Sequence, residues 1–440
     1  MALVAGAACG PRAAEPAGGD GDAGESSPQA DVGAGDNTST SATSGATTGT
    51  STCLPPSVVF GDRCYERIEI VGDVEAHRLI PSPRLDDYGP SFVVWKDRTE
   101  GTDSGGFFRL VHEEAPALRL EKLMGGFFHR KVDIVTANLS PTTVERRDHI
   151  ITIPSSRCGN DFLLLFHRKR IALGSPILIL PTLWLEECEE LGFSRSLAIP
   201  TDINDEGADE FVMLSGSGDV GDVYFNDTQT ENYVNTTLLR RSGGFQLPAS
   251  CSENRTGRSW RPTPNSKESV LLLGTDCGSA PASLESFRPD ADGELYEQRT
   301  LALNVPDAGT DPLALEAVDV DRDGADEVII ATDGLLQLLE ASDSGFSSPR
   351  TLDALPMRHA PFDDDEQIIA IASGDFFGCE DAEIVVQEDG ALAIASTVGE
   401  PTLRIDVAAE HFAALDINED GSADLIASTT DGLVLWVSKG

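Results

Sequence analysis

Carboxylates alternate along Asp319, Asp321 and Asp323, a glycine follows at Gly324, and a further acid stands at Glu327. Side-chain oxygens at every second residue suit a hard divalent cation, which takes about six to eight oxygen ligands, and the glycine lets the chain turn tightly around it. An EF-hand would need a bidentate Glu at its twelfth position, where this loop has Ile330. The ninth residue, Glu327, is therefore the expected closing ligand, and the seventh, Ala325, is counted among the ligand positions. The same register recurs at Asp416, Asn418, Asp420, Ser422 and Asp424, and again at Asp202, Asn204, Glu206, Ala208 and Glu210. A worn copy starts at Asp375 and keeps Glu383, but it has Phe377 and Cys379 at the third and fifth positions and is expected to hold no metal. The expected cofactor is Ca2+ in a structural role.

Each loop runs into a short apolar stretch, and after the loops at Asp319, Asp375 and Asp416 an Asp-Gly pair follows at Asp333, Asp389 and Asp431. Apolar run, Asp-Gly and a second apolar run describe a β-hairpin, so the repeating unit is loop, strand, turn, strand. Loop starts at 202, 319, 375 and 416 lie 117, 56 and 41 residues apart, and the first gap is close to two periods. A copy without carboxylates is expected near residue 261, where "NSKESVLLLGTDCG" supplies strand and turn. A period of about 40 to 60 residues built from short strands predicts an all-β chain folded as a β-propeller. About seven four-stranded blades are expected, with six to eight in range. The last repeat has three strands before the C-terminus, so a fourth from the front, Tyr65 to Val71, is expected to close the ring.

Repeats with a D-x-[DN]-x-D-G-x-x-[DE] loop ahead of a hydrophobic strand resemble the FG-GAP/VCBS family of integrin α-subunit propellers and bacterial surface proteins. The resemblance implies a bladed propeller with calcium held in inter-strand loops. It is carried by the loops at Asp319 and Asp416, less closely by that at Asp202, and spans residues 196–440.

The front of the chain is different material. Residues 10–52 are Gly, Ala, Ser, Thr, Asp and Pro with few large apolar side chains, which predicts a disordered tether ahead of a propeller over 53–440. Residues 1–9, "MALVAGAAC", resemble the end of a truncated lipoprotein signal, with lipidation expected at Cys9. Cys53 and Cys64 bracket a short loop as a disulfide would, and Cys158 with Cys188 and Cys251 with Cys277 are further candidate pairs. These features favour an extracellular or cell-envelope location in a bacterium, with any membrane contact made through a lipid on Cys9.

The 440 residues carry 74 acidic and 32 basic side chains, a formal net charge of −42. That field repels nucleic acid and anionic membrane and attracts cations. Catalytic motifs are missing: no His-Glu-x-x-His and no G-x-S-x-G occurs. Gly216, Gly218 and Gly221 spell G-x-G-x-x-G, but "DVYFND" behind them alternates like a strand, whereas a dinucleotide site needs a helix there. The basic islands "FHRKV" and "FHRKR" read as solvated strand ends, and the tryptophans as packing between blades. The leading expectation is a monomeric, non-catalytic, calcium-stabilised surface scaffold that binds a glycan or a protein. The alternative is an extracellular polysaccharide lyase or hydrolase with its site at the propeller channel.

Overall fold

The computed structural model describes residues 58–60, 63–71, 78–86, 89–96, 106–112, 118–125, 132–138, 148–154, 164–166, 197–205, 209–214, 220–226, 239–246, 254–275, 283–289, 295–302, 314–332, 335–342, 345–353, 360–363, 366–368, 371–378, 381–388, 390–397 and 402–439. Among the described residues every regular element is a β-strand. The apolar runs explain the strands. "EVIIAT" (Glu327–Thr332) and "GLVLWVS" (Gly432–Ser438) are β-branched and aromatic, and they are apolar continuously rather than alternately. Continuous apolarity belongs to strands covered on both faces.

Four-stranded antiparallel sheets form at 78–125, 197–246, 254–302, 314–353 and 371–405, their strands consecutive in the chain except that a small hairpin, Ala341–Ser342 with Gly345–Phe346, precedes the fourth strand of the 314–353 sheet. The chain thus builds a β-propeller with five four-stranded blades rather than the expected seven or so. Beside two two-stranded hairpins, Ala341–Ser342 with Gly345–Phe346 and Ala360–Asp363 with Glu366–Ile368, two larger sheets depart from the four-stranded form. One holds Val132–Asn138, Asp148–Pro154 and Leu164–Phe166 and has three described strands. The other has five, because Val58–Phe60 adds outside the closing strand. Dividing chain length by a repeat period cannot register such departures, which accounts for the difference.

The first strands of successive sheets pack side by side. Arg78–Asp86 lies against Val132–Asn138, which lies against Leu197–Thr201, and contact then passes through Asn254–Trp260, Ala314–Val318 and Ile371–Gly374 to His411–Leu415. That last strand returns to Arg78–Asp86 and completes the circle. The seam is sealed by antiparallel pairing of Arg63–Val71 with Gly432–Ser438, from Tyr65 opposite Ser438 to Val71 opposite Gly432. This is the strand that the sequence predicts for closure. It covers the edge that three C-terminal strands would otherwise leave open.

Side chains of one strand alternate between two inter-blade cores. Ile384 and Val386 pack with Ile329, Ala331, Leu336 and Leu338 of the preceding blade. Val385, between them, packs with Leu425, Ala427, Val434 and Trp436 of the closing sheet. Burial of each such side chain contributes about 1.5–3 kcal/mol. Trp95, Trp260 and Trp436 are at most 2% exposed, so these three tryptophans belong to the packing and cannot stack on a sugar from solvent. Trp184 and the basic residues of both islands lie outside the described residues. The segment after Gly218 is the strand Val220–Asn226, paired on both sides, which removes the dinucleotide reading. The pairing of third with fourth strand slips by a residue at Val223/Tyr224, Ser286/Phe287, Leu336/Gln337 and Phe107/Phe108. Such a bulge adds local twist, and its recurrence in four blades marks them as copies of one unit.

Candidate metal centre

Each candidate loop joins the first to the second strand of its sheet, so all of them project from one end of the ring. The 319–327 loop follows Ala314–Val318 and leads into Glu327–Thr332. Carboxylate oxygens of Asp319, Asp321 and Glu327 all lie within 4.8 Å of one another. Loop N–H groups orient the acids: Gly324 donates to Asp319 Oδ2 (2.9 Å), Asp323 to Asp321 Oδ1 (3.3 Å) and Ala325 to Asp323 Oδ1 (2.8 Å). Gly324 has φ +90°, the left-handed conformation that favours glycine. The remaining oxygen of Asp319, Oδ1, is buried and has no hydrogen-bond partner. A buried acceptor left open among converging carboxylates is costly unless a cation fills the gap. The donor set, all oxygen, fits Ca2+ in kind.

Burial pushes the Glu327 carboxyl up to about 7, and the charges of Asp321, Asp323 and Asp319 add to the rise while the Val320 N–H opposes it. The loop therefore resists full ionisation without a counter-charge. A divalent ion bound by these oxygens would reverse that balance.

The 416–424 loop has the same course with more internal bonds. Gly421 N–H donates to Asp416 Oδ2 (2.8 Å), Asp420 N–H to Asp416 Oδ1 (3.1 Å) and Ser422 N–H to Asp420 Oδ1 (2.9 Å). Asn418 Nδ2 donates to Asp420 Oδ2 at 3.0 Å. Gly421 has φ +86°, and Ser422 Oγ is buried with no hydrogen-bond partner. Asp424 is fully buried, and that burial pushes its carboxyl up to about 7. Asp416, Asp420 and Asp424 do not converge as closely as the acids of the 319–327 loop, the amide of Asn418 standing against Asp420 instead.

In the 202–210 loop Asn204 Nδ2 donates to Glu210 Oε1 (2.8 Å), and Asp202 N–H donates to Glu268 of the next blade (2.9 Å). Glu206 and Ala208 lie outside the described residues, so this ligand set is only partly visible. Cys9, Cys53, Cys158, Cys188, Cys251 and Cys277 also lie outside them, whereas Cys64 is disulfide-bonded.

The geometry shows a role for the ninth position that sequence reasoning missed. In every loop the ninth carboxylate accepts the second residue's N–H: Ile203 to Glu210 (2.9 Å), Val320 to Glu327 (2.8 Å), Phe376 to Glu383 (2.7 Å) and Ile417 to Asp424 (2.8 Å). The worn copy keeps this bond although Phe377 and Cys379 stand at its third and fifth positions, so the clamp does not depend on carboxylates there. Its fourth residue is also left-handed in all four: Asp205, Arg322, Gly378 and Glu419 have φ of 63°, 59°, 76° and 57°. The retention of Glu383 in a loop whose third and fifth positions have become Phe377 and Cys379 was the available signal.

Arg322, the fourth residue of its loop, reaches the neighbouring worn loop, where Nη2 lies 3.1 Å from Asp375 Oδ2. A guanidinium there faces the acid that is left after Phe377 and Cys379 replace the other ligands. Loops are also tied by backbone: the eighth residues Asp326, Ala382 and Ala423 donate N–H to Arg261 O (2.7 Å), Val320 O (2.9 Å) and Asp375 O (2.8 Å) of the preceding sheet. Arg261 follows Asn254–Trp260, at the place where a carboxylate-free copy was expected.

No protein-family model and no curated protein matches the sequence. Solved structures do match in shape. One is a lectin from Agrocybe aegerita described as specifically recognising non-reducing terminal N-acetylglucosamine. It has a TM-score of 0.50 and 13% identity, over 82% of this chain and 88% of that one. Another is BBS1N in complex with ARL6DN, with a TM-score of 0.50 and 12% identity, over 84% of this chain and 96% of that one. At such identities the likeness establishes the fold, and the chain is an all-β propeller.

Proposed function

We propose that this protein is a calcium-stabilised propeller of FG-GAP/VCBS type that acts as a non-catalytic binding scaffold for a glycan or a protein on a bacterial cell surface. The observation that carries the calcium part is the 319–327 loop, where three carboxylates come within 4.8 Å and a buried Asp319 oxygen has no partner. Asp319, Asp321, Asp323 and Glu327 would hold one ion, and Asp416, Asn418, Asp420 and Asp424 a second. The ion supplies positive charge to loops that belong to a chain of net charge −42. The backbone N–H groups of the loops orient the carboxylates, and the ninth acid ties each loop to its strand.

The binding part is supported by shape. A propeller neighbour is a lectin, and propellers commonly bind through loops carried on rigid strands. The surface location follows from the Cys9 and tether reading, in which a lipid on Cys9 anchors a monomeric propeller through residues 10–52. A glycan array probed with the full chain, in millimolar calcium and again in chelator, tests the proposal. Calcium-dependent retention on a defined sugar class is the expected result. Absence of retention, together with release of new sugar ends from a polysaccharide, would replace the scaffold with an enzyme.

A further inference from the structure

One candidate loop is built partly from a residue that lies beyond it in the sequence. Asp424 Oδ1 accepts the N–H of Ser438 at 2.7 Å, while Asp424 Oδ2 accepts Ile417 N–H. The hydroxyl of Ser438 donates to Asp420 Oδ2, and its carbonyl accepts Asn418 Nδ2 at 2.9 Å. Three different groups of one serine thus contact three of the expected ligands, Asn418, Asp420 and Asp424. In the 314–353 blade the pairing of Val328 with Leu339 corresponds to that of Leu425 with Trp436. The counterpart of Ser438 is therefore Ala341, which has no hydroxyl.

Ser438 ends the strand that the N-terminal segment seals, and its register partner across the seam is Tyr65. Tyr65 is fully buried, with its hydroxyl 3.1 Å from Ala423 O and 3.0 Å from Phe376 O. Ala423 stands between Ser422 and Asp424 in the loop. Beside this pair, Lys439 N–H donates to Cys64 O (2.9 Å), and Lys439 Nζ lies 3.1 Å from Glu66 Oε2. Undocking the N-terminal strand would remove the anchor of Ser438 on one side of the loop and that of Ala423 on the other.

We propose that Ser438 is a cation-site residue of the 416–424 loop, and that cation uptake there and docking of the N-terminal strand are one coupled equilibrium. The inference rests on the calcium reading above. Coupling of this kind is reciprocal: if the docked strand raises cation affinity by some factor, the cation raises docking by the same factor. Calcium concentration would then set how firmly the ring is latched, and with it whatever the front of the chain is attached to.

Amide hydrogen exchange of the full chain in calcium and in chelator tests this. Loss of one buried hydrogen bond corresponds to about five-fold in an equilibrium constant. Calcium should therefore slow exchange across Arg63–Val71 by about five-fold or more. The slowing should disappear in Ser438→Ala and shrink in Tyr65→Phe, and it should persist in Asp319→Asn, which alters the other loop. Tyr65→Phe removes only a hydroxyl, so it carries the test if Ser438→Ala does not fold. Calcium protection of 416–424 without protection of 63–71, or an unchanged response in both seam variants, would overturn the coupling and leave the calcium reading intact. No calcium protection at 319–327 or at 416–424 would overturn both.

Discussion

Replacing Asp319 by Asn separates the metal's contribution from that of the loop's own hydrogen bonds. Asp319 Oδ2 accepts the Gly324 N–H at 2.9 Å, and an amide oxygen can do the same. In chelator the variant should therefore melt within about 1 °C of the parent, since it keeps the acceptor and loses a charge facing Asp321 and Glu327. In calcium it gives up the linkage term RT ln(1 + [L]/Kd), which at 5 mM ion and a Kd of about 0.1–1 mM is about 1–2.3 kcal/mol. Unfolding entropy of about 2.1 cal/mol/K per residue, summed over residues 58–439, makes each kcal/mol worth about 1.2 °C. The expected outcome is a melting temperature about 1–3 °C below the parent in calcium and a far smaller difference in chelator, read by scanning calorimetry. Equal differences in both buffers would refute the reasoning, because the effect would then come from the loop alone.

Two further outcomes follow from the packing and the buried acids. Ile329→Ala, at a fully buried position packed against Ile384 and Val386, should cost about 2–5 kcal/mol by denaturant unfolding, equally in calcium and in chelator. Burial pushes Glu383 up to about 8. A carboxyl raised in the folded state contributes stability that is fully present below its unfolded value near 4.5 and is lost as pH rises toward 8. In chelator the protein should therefore weaken between pH 5 and pH 8, and Glu383→Gln, which keeps an acceptor for Phe376 and Phe377, should flatten that decline. An identical pH profile for the variant would contradict the assignment.

The loops were legible in the sequence because their information is local. Alternating acids, a glycine that the structure places at positive φ (Gly324, Gly421) and an apolar run behind them all lie within one repeat. Ring closure by Tyr65 to Val71 was legible for a different reason: three strands at the C-terminus leave an edge that some other strand must cover. What escaped depends on residues brought together from afar. Arg322 meets Asp375, Ser438 enters a loop that ends at Asp424, and the eighth residues of three loops, Asp326, Ala382 and Ala423, bond the preceding repeat, and no short-range spacing encodes these meetings. The ninth acid was read as a ligand, and its second task as a clamp on the backbone became visible only with the strand beside it. The blade count escaped because one sheet gains the strand Val58–Phe60 and another has three described strands, which no average repeat length anticipates.

Calcium titration of the full chain by isothermal calorimetry tests the central claim most directly. Saturable binding with a Kd of about 0.1–1 mM, weakened in Asp319→Asn and in Asp416→Asn and weakened further when both are combined, is the predicted result. Binding that is absent up to about 10 mM, or unchanged in the double variant, would contradict it.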